Sequence, residues 1–279
     1  MAGIQIVADS ACDLSPELVQ RYDIRIVPLS VTIGDEHYTD GVDLTADEFY
    51  HKLRTMDVLP RTSQPAPGRF AEVYREAVDA GKQVLSIHIA SKLSGTYQAA
   101  CLAAEMVDSD SIVVIDSETV SMGAGLMVLA AARRSGSLAE AQEAMVKVKD
   151  TLGLLFIPDT FEYMEKNGRI GKAASLAGSL LQIKPVLTIS RGTVEVVEKL
   201  RGRKRARRRL LEIFREQVGE NKVHVTVLHA DAEEEAREML EEVQQTVDCA
   251  ETYFTWIGPV IGAHAGPGVL GLTWHLALP

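Results

Sequence analysis

The sequence predicts an α/β protein in two parts: an N-terminal αβα domain on a parallel sheet (residues 1–150) and a C-terminal α+β domain with a mostly antiparallel sheet (residues 151–279). Three observations lead there. Through the first half, apolar runs of strand length alternate with stretches of helical periodicity, which implies parallel pairing with helices on both faces. Past residue 150 the order changes to a hairpin signal (Pro185–Ser190, Arg191-Gly192, Thr193–Lys199) followed by strand, helix and two more strands. The composition, 46% apolar and 24% charged over 279 residues, suits a globular chain long enough for two domains.

Taken in order, Ile4–Ala8 reads as a short buried strand and Asp9–Leu14 as a turn. Ser15-Pro16-Glu17 opens a helix, with Ser as cap and Pro in the first position. Ile24–Ile33 reads as a second strand, and Thr45-Ala46-Asp47-Glu48 as a capping box for a helix through Arg54. Phe70, Val73, Tyr74 and Ala77 recur at helical spacing, which predicts a helix over Pro67–Ala80. Val84–Ala90 and Ser111–Asp116 are strands, followed by helices over about Gly95–Met106 and Met122–Arg133. Ser137-Leu138-Ala139-Glu140 is a second capping box, for a helix to about Lys149. In the second half, Phe161–Lys166 is a short helix ended by Asn167-Gly168. Val223–Ala230, Thr252–Ile257 and Val269–Leu276 are strands, with a helix over Asp231–Val247.

Several function classes are disfavoured. No uncharged apolar run reaches the roughly 18 residues of a membrane span, so stable membrane insertion is not expected. Met1-Ala2-Gly3-Ile4 leads straight into a strand pattern, without the layout of a signal peptide. Cys12, Cys101 and Cys249 are odd in number and far apart, which points to a reducing compartment, the cytoplasm. With no CxxC pair and no HExxH, neither a metal nor a cofactor is expected. A net charge of −10 and a pI near 5.2 argue against a nucleic-acid partner.

In parallel α/β sheets ligands gather at the carboxyl ends of the strands. There, Ser91–Gln98 follows the strand Val84–Ala90 and opens a helix, whose free N–H groups and dipole make a seat for an anion. Ser94 would add a hydroxyl, although a Ser before a helix is as often only a cap. Thr62-Ser63-Gln64-Pro65 puts further hydroxyls where a loop meets a helix. Asp9-Ser10 and Asp116-Ser117 lie at strand ends, and capping is the simpler role for both. Arg169 sits on a loop between helices, where it is either a solvated charge or faces an anion.

Gly266-Pro267-Gly268-Val269-Leu270-Gly271 matches GxGxxG but lacks the strand before and the helix after that a dinucleotide site needs, so it reads as a tight loop, with His264 beside it. Arg201–Arg209 holds seven basic residues in nine positions, a solvated helix face or a docking patch for an acidic partner.

The ordered set Asp9-Ser10-Ala11-Cys12-Asp13-Leu14, Thr62-Ser63-Gln64-Pro65, Leu93-Ser94-Gly95-Thr96-Tyr97-Gln98, Ile115-Asp116-Ser117, Gly168-Arg169-Ile170, Ile183-Lys184-Pro185 and His264-Ala265-Gly266-Pro267-Gly268 resembles the DegV family, the fatty acid-binding subunits of bacterial fatty acid kinase. Each motif is weak alone; the ordered set spans the chain and is specific. Ala66 and Ala265 stand where the family often has a hydroxyl residue.

A monomer is expected; the resemblance implies a protein not catalytic by itself, with a long-chain fatty acid buried between the domains. Thr62, Ser94 and Gly95 would hold the carboxylate, with Asp9, Ser10, Ser63, Ser117 and Gly266 in support. Arg169 and His264 would lie at the rim facing an ATP-binding kinase, which would convert the carboxylate to an acyl-phosphate. Arg201, Arg203, Lys204 and Arg205 would help that partner dock. The apolar stretches Leu126–Ala132 and Leu176–Ile183 are candidate tunnel walls.

Two rival readings carry different residues. A serine hydrolase acting on a lipid ester would use Ser94 as nucleophile with His88 or His264 as base, though Ser94 is not in a GxSxG elbow. A nucleic-acid or protein adaptor would use Arg201–Arg209.

Overall fold

The N-terminal sheet grows outward from strand β1 (Ile4–Asp9), which is apolar on both faces because helices cover both. The computed structural model describes residues 3–56, 58–176 and 183–277. After β1 comes one 3-10 turn, Ser10–Cys12, and helix α1 (Pro16–Arg21), where Ser15 Oγ accepts the Leu18 N–H. Strand β2 (Arg25–Val27) pairs parallel to β1.

The single strand expected over Ile24–Ile33 is two. Pro28 has no N–H to give to a ladder, and the chain leaves the sheet there. Strand β3 (Ser30–Ile33) instead forms a small antiparallel sheet with β4 (Glu36–Thr39) and β5 (Arg61–Ser63), in the order β4-β3-β5. Helix α2 (Ala46–Thr55) lies between β4 and β5 and starts at the expected capping box, with Thr45 and Glu48 bonded reciprocally.

Helix α3 (Pro67–Asp79), strand β6 (Gln83–His88), helix α4 (Thr96–Val107), strand β7 (Ile112–Asp116) and helices α5 (Met122–Arg133) and α6 (Leu138–Thr151) complete this half. The sheet order is β2-β1-β6-β7, all parallel. Phe70, Tyr74 and Ala100 of α3 and α4 pack on Val7 and Val84 on one face. Leu126, Met127 and Met145 of α5 and α6 pack on Ile6 and Leu85 on the other. Of the capping box expected at α6, only the Ser137 half is made, to the Glu140 N–H at 3.2 Å.

The second sheet has the order β10-β9-β8-β13-β11-β12. Its elements are β8 (Gly153–Ile157), α7 (Glu162–Lys166), β9 (Val186–Ser190), β10 (Thr193–Glu198), α8 (Arg203–Val218), β11 (Val223–His229), α9 (Glu233–Thr246), β12 (Cys249–Trp256), α10 (Pro259–Ala265) and β13 (Leu270–Leu276). Every pairing is antiparallel except β11 with β12, which α9 joins as a crossover. Among the described residues no helix is long and apolar enough to cross a membrane.

Helix α10 is not legible in the sequence, and it is one of the elements that join the halves. Val260 and Ala263 sit in the same apolar cluster as Leu29, Phe49 and Tyr50 of the N-terminal half. The Tyr50 hydroxyl donates to the Ile257 carbonyl at 2.9 Å. Gly262 allows the approach: a Cβ there would meet the Tyr50 hydroxyl and come within 2.8 Å of the Phe49 ring. Gly262→Ala should therefore overpack this contact and cost about 1–3 kcal/mol. A urea titration would show it as a lower midpoint at unchanged slope; an unaltered midpoint would remove α10 as the close-packed joint.

Candidate functional site

A cavity of about 380 Å³ opens between the halves, within the roughly 300–1,000 Å³ of small-molecule sites. Its N-terminal walls come from the loops after β6 and β7, through Ile89 and Val120, and from Leu29. Its C-terminal walls are Leu154 and Phe156 of β8 and Val260 and Ile261 of α10. Arg169 is the one charged residue among its described lining residues.

Several of the polar lining residues are held by hydrogen bonds. Thr62 lies on strand β5, not on a loop as expected, and its Oγ1 hydrogen-bonds His264 Nε2 at 2.7 Å. Ser94 Oγ accepts the Thr96 N–H at 3.3 Å and bonds the Thr96 hydroxyl at 2.8 Å, so it does support the start of α4 while bordering the cavity. Gly95 holds the N-cap position of α4, and a side chain on it would strike the Gln64 amide. Gln64 therefore reaches the same end of the cavity as Ser94, and Ser63 is also among the lining residues. Gln64 was not singled out from the sequence, although it stands inside the Thr62–Pro65 motif.

Arg169 is exposed and held in place by two carbonyls, Leu93 O from Nε at 3.2 Å and Asn167 O from Nη1 at 2.7 Å. The Asn167 side-chain amide donates to Pro60 O (3.2 Å) and Ala263 O (2.9 Å), stitching the Arg169 loop to the residue before β5 and to α10. The sequence alone marks Asn167 only as a helix stop. Burial, and after it the nearby Arg169 charge, push His264 down to about 4, so its imidazole is neutral at pH 7. The site thus offers hydroxyls, an amide, a neutral imidazole and one guanidinium at one end of an apolar chamber. That combination suits an anion with a long apolar body.

The remaining expected residues act at one remove. Asp9 is buried: its Oδ1 accepts the Ala11 N–H, and its Oδ2 takes the Ile89 N–H (2.9 Å) and His88 Nδ1 (3.0 Å). It anchors the start of the loop that carries Ser94. Ser10 Oγ accepts the Leu29 N–H, and Ser117 closes its own turn with Thr119. Gly266, at φ 78°, lies against the Tyr163 ring.

Other expectations are corrected. His88 is fully buried between Asp9 and Ser86, with Ser86 bonded in turn by Tyr74, so it cannot serve Ser94 as a base. His264 faces Thr62, and among the described residues no hydrogen bond joins Ser94 to a histidine. Of the two histidines expected for the hydrolase reading, His88 is thus engaged elsewhere, and His264 shares the cavity with Ser94 but bonds Thr62. Leu126–Ala132 packs between sheet and α6 instead of lining the cavity, because α5 is covered on nearly all sides. In Leu176–Ile183, Leu176 is buried beside Phe161 and Met164, and 177–182 lie outside the described residues.

The basic run opens α8, and much of its charge is spent inside the molecule. Arg203 pairs with Glu235 at 2.8 Å, Arg207 with Glu238, and Arg209 with Glu198 and Glu216, both at 2.8 Å. Arg201, Lys204 and Arg205 remain exposed. Among the described residues no group of three His, Cys, Asp or Glu side chains is placed to hold a metal ion.

Comparison with known proteins adds to this geometry. The family model described as uncharacterised protein, DegV family, matches residues 3–276. A DegV domain-containing protein of Halalkalibacterium halodurans is 35% identical, with 99% of each chain covered. A fatty acid-binding DegV family protein from Thermus thermophilus superposes with a TM-score of 0.92 at 35% identity, covering 99% of this chain and 100% of that one. DegV of Bacillus subtilis, a fatty acid binding protein, superposes with a TM-score of 0.91 at 31% identity over the same shares.

The depressed His264 predicts a pH response. Between about 4 and 6.5 the imidazole stays neutral in the folded state while the unfolded chain takes up a proton, so the stability it leaves in place is complete above about 6.5 and is lost as pH falls towards 4. His264→Asn should therefore lose less urea resistance than the parent between pH 7 and pH 5. Equal losses in both proteins would show that His264 carries no such burden.

Proposed function

The chain belongs to the DegV family, and on that premise we propose that it binds one long-chain fatty acid between its halves and presents the carboxylate to a separate ATP-dependent kinase. The observation that carries this reading is the cavity itself: apolar walls, one end furnished with hydroxyls, and Arg169 as its single charged residue among those described. Solved DegV relatives bind fatty acids. The end of α6 at Thr151 and the entry of β8 into the other sheet support residues 1–150 and 151–279 as the two domains that enclose the ligand.

Burying a sixteen-carbon tail is worth roughly 0.8 kcal/mol per methylene, or about 10 kcal/mol gross before ordering costs. The tail therefore dominates affinity. The hydroxyls of Thr62 and Ser94 and the N–H groups at the start of α4 add about 1–3 kcal/mol and fix orientation. Hydroxyls leave carboxylate lone pairs free, where a bidentate arginine would occupy both oxygens. Arg169, exposed at the mouth, can meet a phosphoryl group arriving from outside while His264 stays neutral beside it. The kinase would transfer that group from ATP to a carboxylate oxygen, giving an acyl-phosphate. Arg201, Lys204 and Arg205 remain candidates for docking it; Arg203 is committed to Glu235.

Mass spectrometry of an organic extract of the purified protein should reveal an acyl chain. Ser94→Ala should weaken carboxylate binding by about ten- to a hundredfold, the worth of a hydrogen bond to a charged group, and slow phosphorylation by the partner; unchanged turnover would refute its assigned role. Arg169→Gln should slow acyl-phosphate formation more than it lowers acyl occupancy. An equal loss of both would place the guanidinium in binding and not in transfer.

A further inference from the structure

Asn167 closes α7 at φ −93°, a value open to any residue, and the left-handed turn that ends the helix falls on Gly168, at φ 69°. Helix termination therefore does not require an asparagine at 167, and the reason for its amide lies in what the amide touches. Nδ2 donates to two carbonyls, Pro60 at 3.2 Å and Ala263 at 2.9 Å, so the nitrogen and not the oxygen must face them. Ala263 needs such a donor. Its carbonyl would take the N–H four residues on in a continuing helix, but that residue is Pro267, which has none. Pro60 stands two residues before Thr62 and Ala263 one before His264, and Thr62 Oγ1 bonds His264 Nε2 at 2.7 Å. These contacts close a ring, from Asn167 to Pro60, along β5 to Thr62, across to His264 and back through Ala263.

We infer that Asn167 is a positioning residue for the carboxylate seat, its amide fixing the Thr62–His264 pair where that pair can hold the ligand's anionic end. This rests on the fatty-acid reading. A hydroxyl donor is strong only at short range and good alignment, so a seat built from two chain segments 202 residues apart needs a third group to hold them in register. Asn167 does so without touching the tail, since it is not among the described residues that line the chamber. Its loss bares two carbonyls and frees β5 from α10, while the apolar walls keep their side chains. The head of the ligand should feel the change and the tail should not.

The test offers delipidated protein hexadecanoic acid and hexadecanol at equal concentration on a cyclodextrin carrier, then extracts and counts the bound lipids by gas chromatography and mass spectrometry. The two share a tail and differ in the charge of the head. The parent should prefer the acid, and Asn167→Ala should lower that preference about tenfold, the worth of one hydrogen bond to a charged group, with uptake of the alcohol retained. In a Thr62→Val background Asn167→Ala should lower it no further, because two residues that act through one contact do not add. Asn167→Ser, which keeps one donor, carries the same comparisons if Asn167→Ala fails to fold by circular dichroism. An unchanged preference, an equal loss of acid and alcohol, or losses that add with Thr62→Val would overturn the positioning role and leave the fatty-acid reading standing. A parent protein that takes up neither lipid, or both alike, would overturn that reading instead.

Discussion

The seating of α10 on the N-terminal half is the contact on which the site depends. Gly258, just before it, donates its N–H to Asp13 Oδ1 at 3.0 Å, Asp13 is bonded in turn by the Ser121 hydroxyl, and Tyr50 holds the Ile257 carbonyl. These are buried or half-buried bonds, each modest when made and costly when one partner is left bare. Burial pushes the Asp13 carboxyl well above its usual range and brings nearby Asp40 up to about 7. With α10 so placed, His264 meets Thr62, Asn167 reaches Ala263, and the chamber between the sheets keeps its shape.

Electrostatics at the mouth follow from the same seating. The chain carries a net charge of −10, yet the chamber's described walls contain no carboxylate and one guanidinium. Held by two carbonyls, that guanidinium is presented outward beside Ser94, and its charge helps to keep His264 neutral. Elsewhere cations and anions cancel locally. Glutamates of α9 and β10 take up Arg203, Arg207 and Arg209, so a run that looks like a strong basic patch is largely a tie between α8 and its neighbours.

Much of the fold was legible because its signals are local. The helix at Thr45 announces itself through a capping box closed over four residues, and the β9–β10 hairpin through Arg191-Gly192, both at positive φ. Strand runs buried on both faces need no partner to be recognised. The break at Pro28 was missed because apolar character continues across it, and only the missing N–H redirects the chain. Helix α10 escapes a sequence reading because its six small or apolar residues and one histidine have no clear period. The site motifs were legible as motifs, and Thr62, Ser94, Gly95, Arg169 and His264 do meet around one cavity. Gln64 and Asn167 were not, because an amide's role is set by what lies opposite it.

By itself, then, the amino-acid order determined most of the succession of strands and helices, the change of architecture near residue 150, and the family motifs, all of which depend on neighbours a few residues away. Tertiary structure alone decided which of those motifs face one another: Thr62 and His264 are 202 residues apart, and His88 proved to belong to Asp9 and Ser86. The reason is physical. Periodicity and capping are properties of one segment, whereas a cavity and its charge depend on two surfaces that pack without filling the space between them.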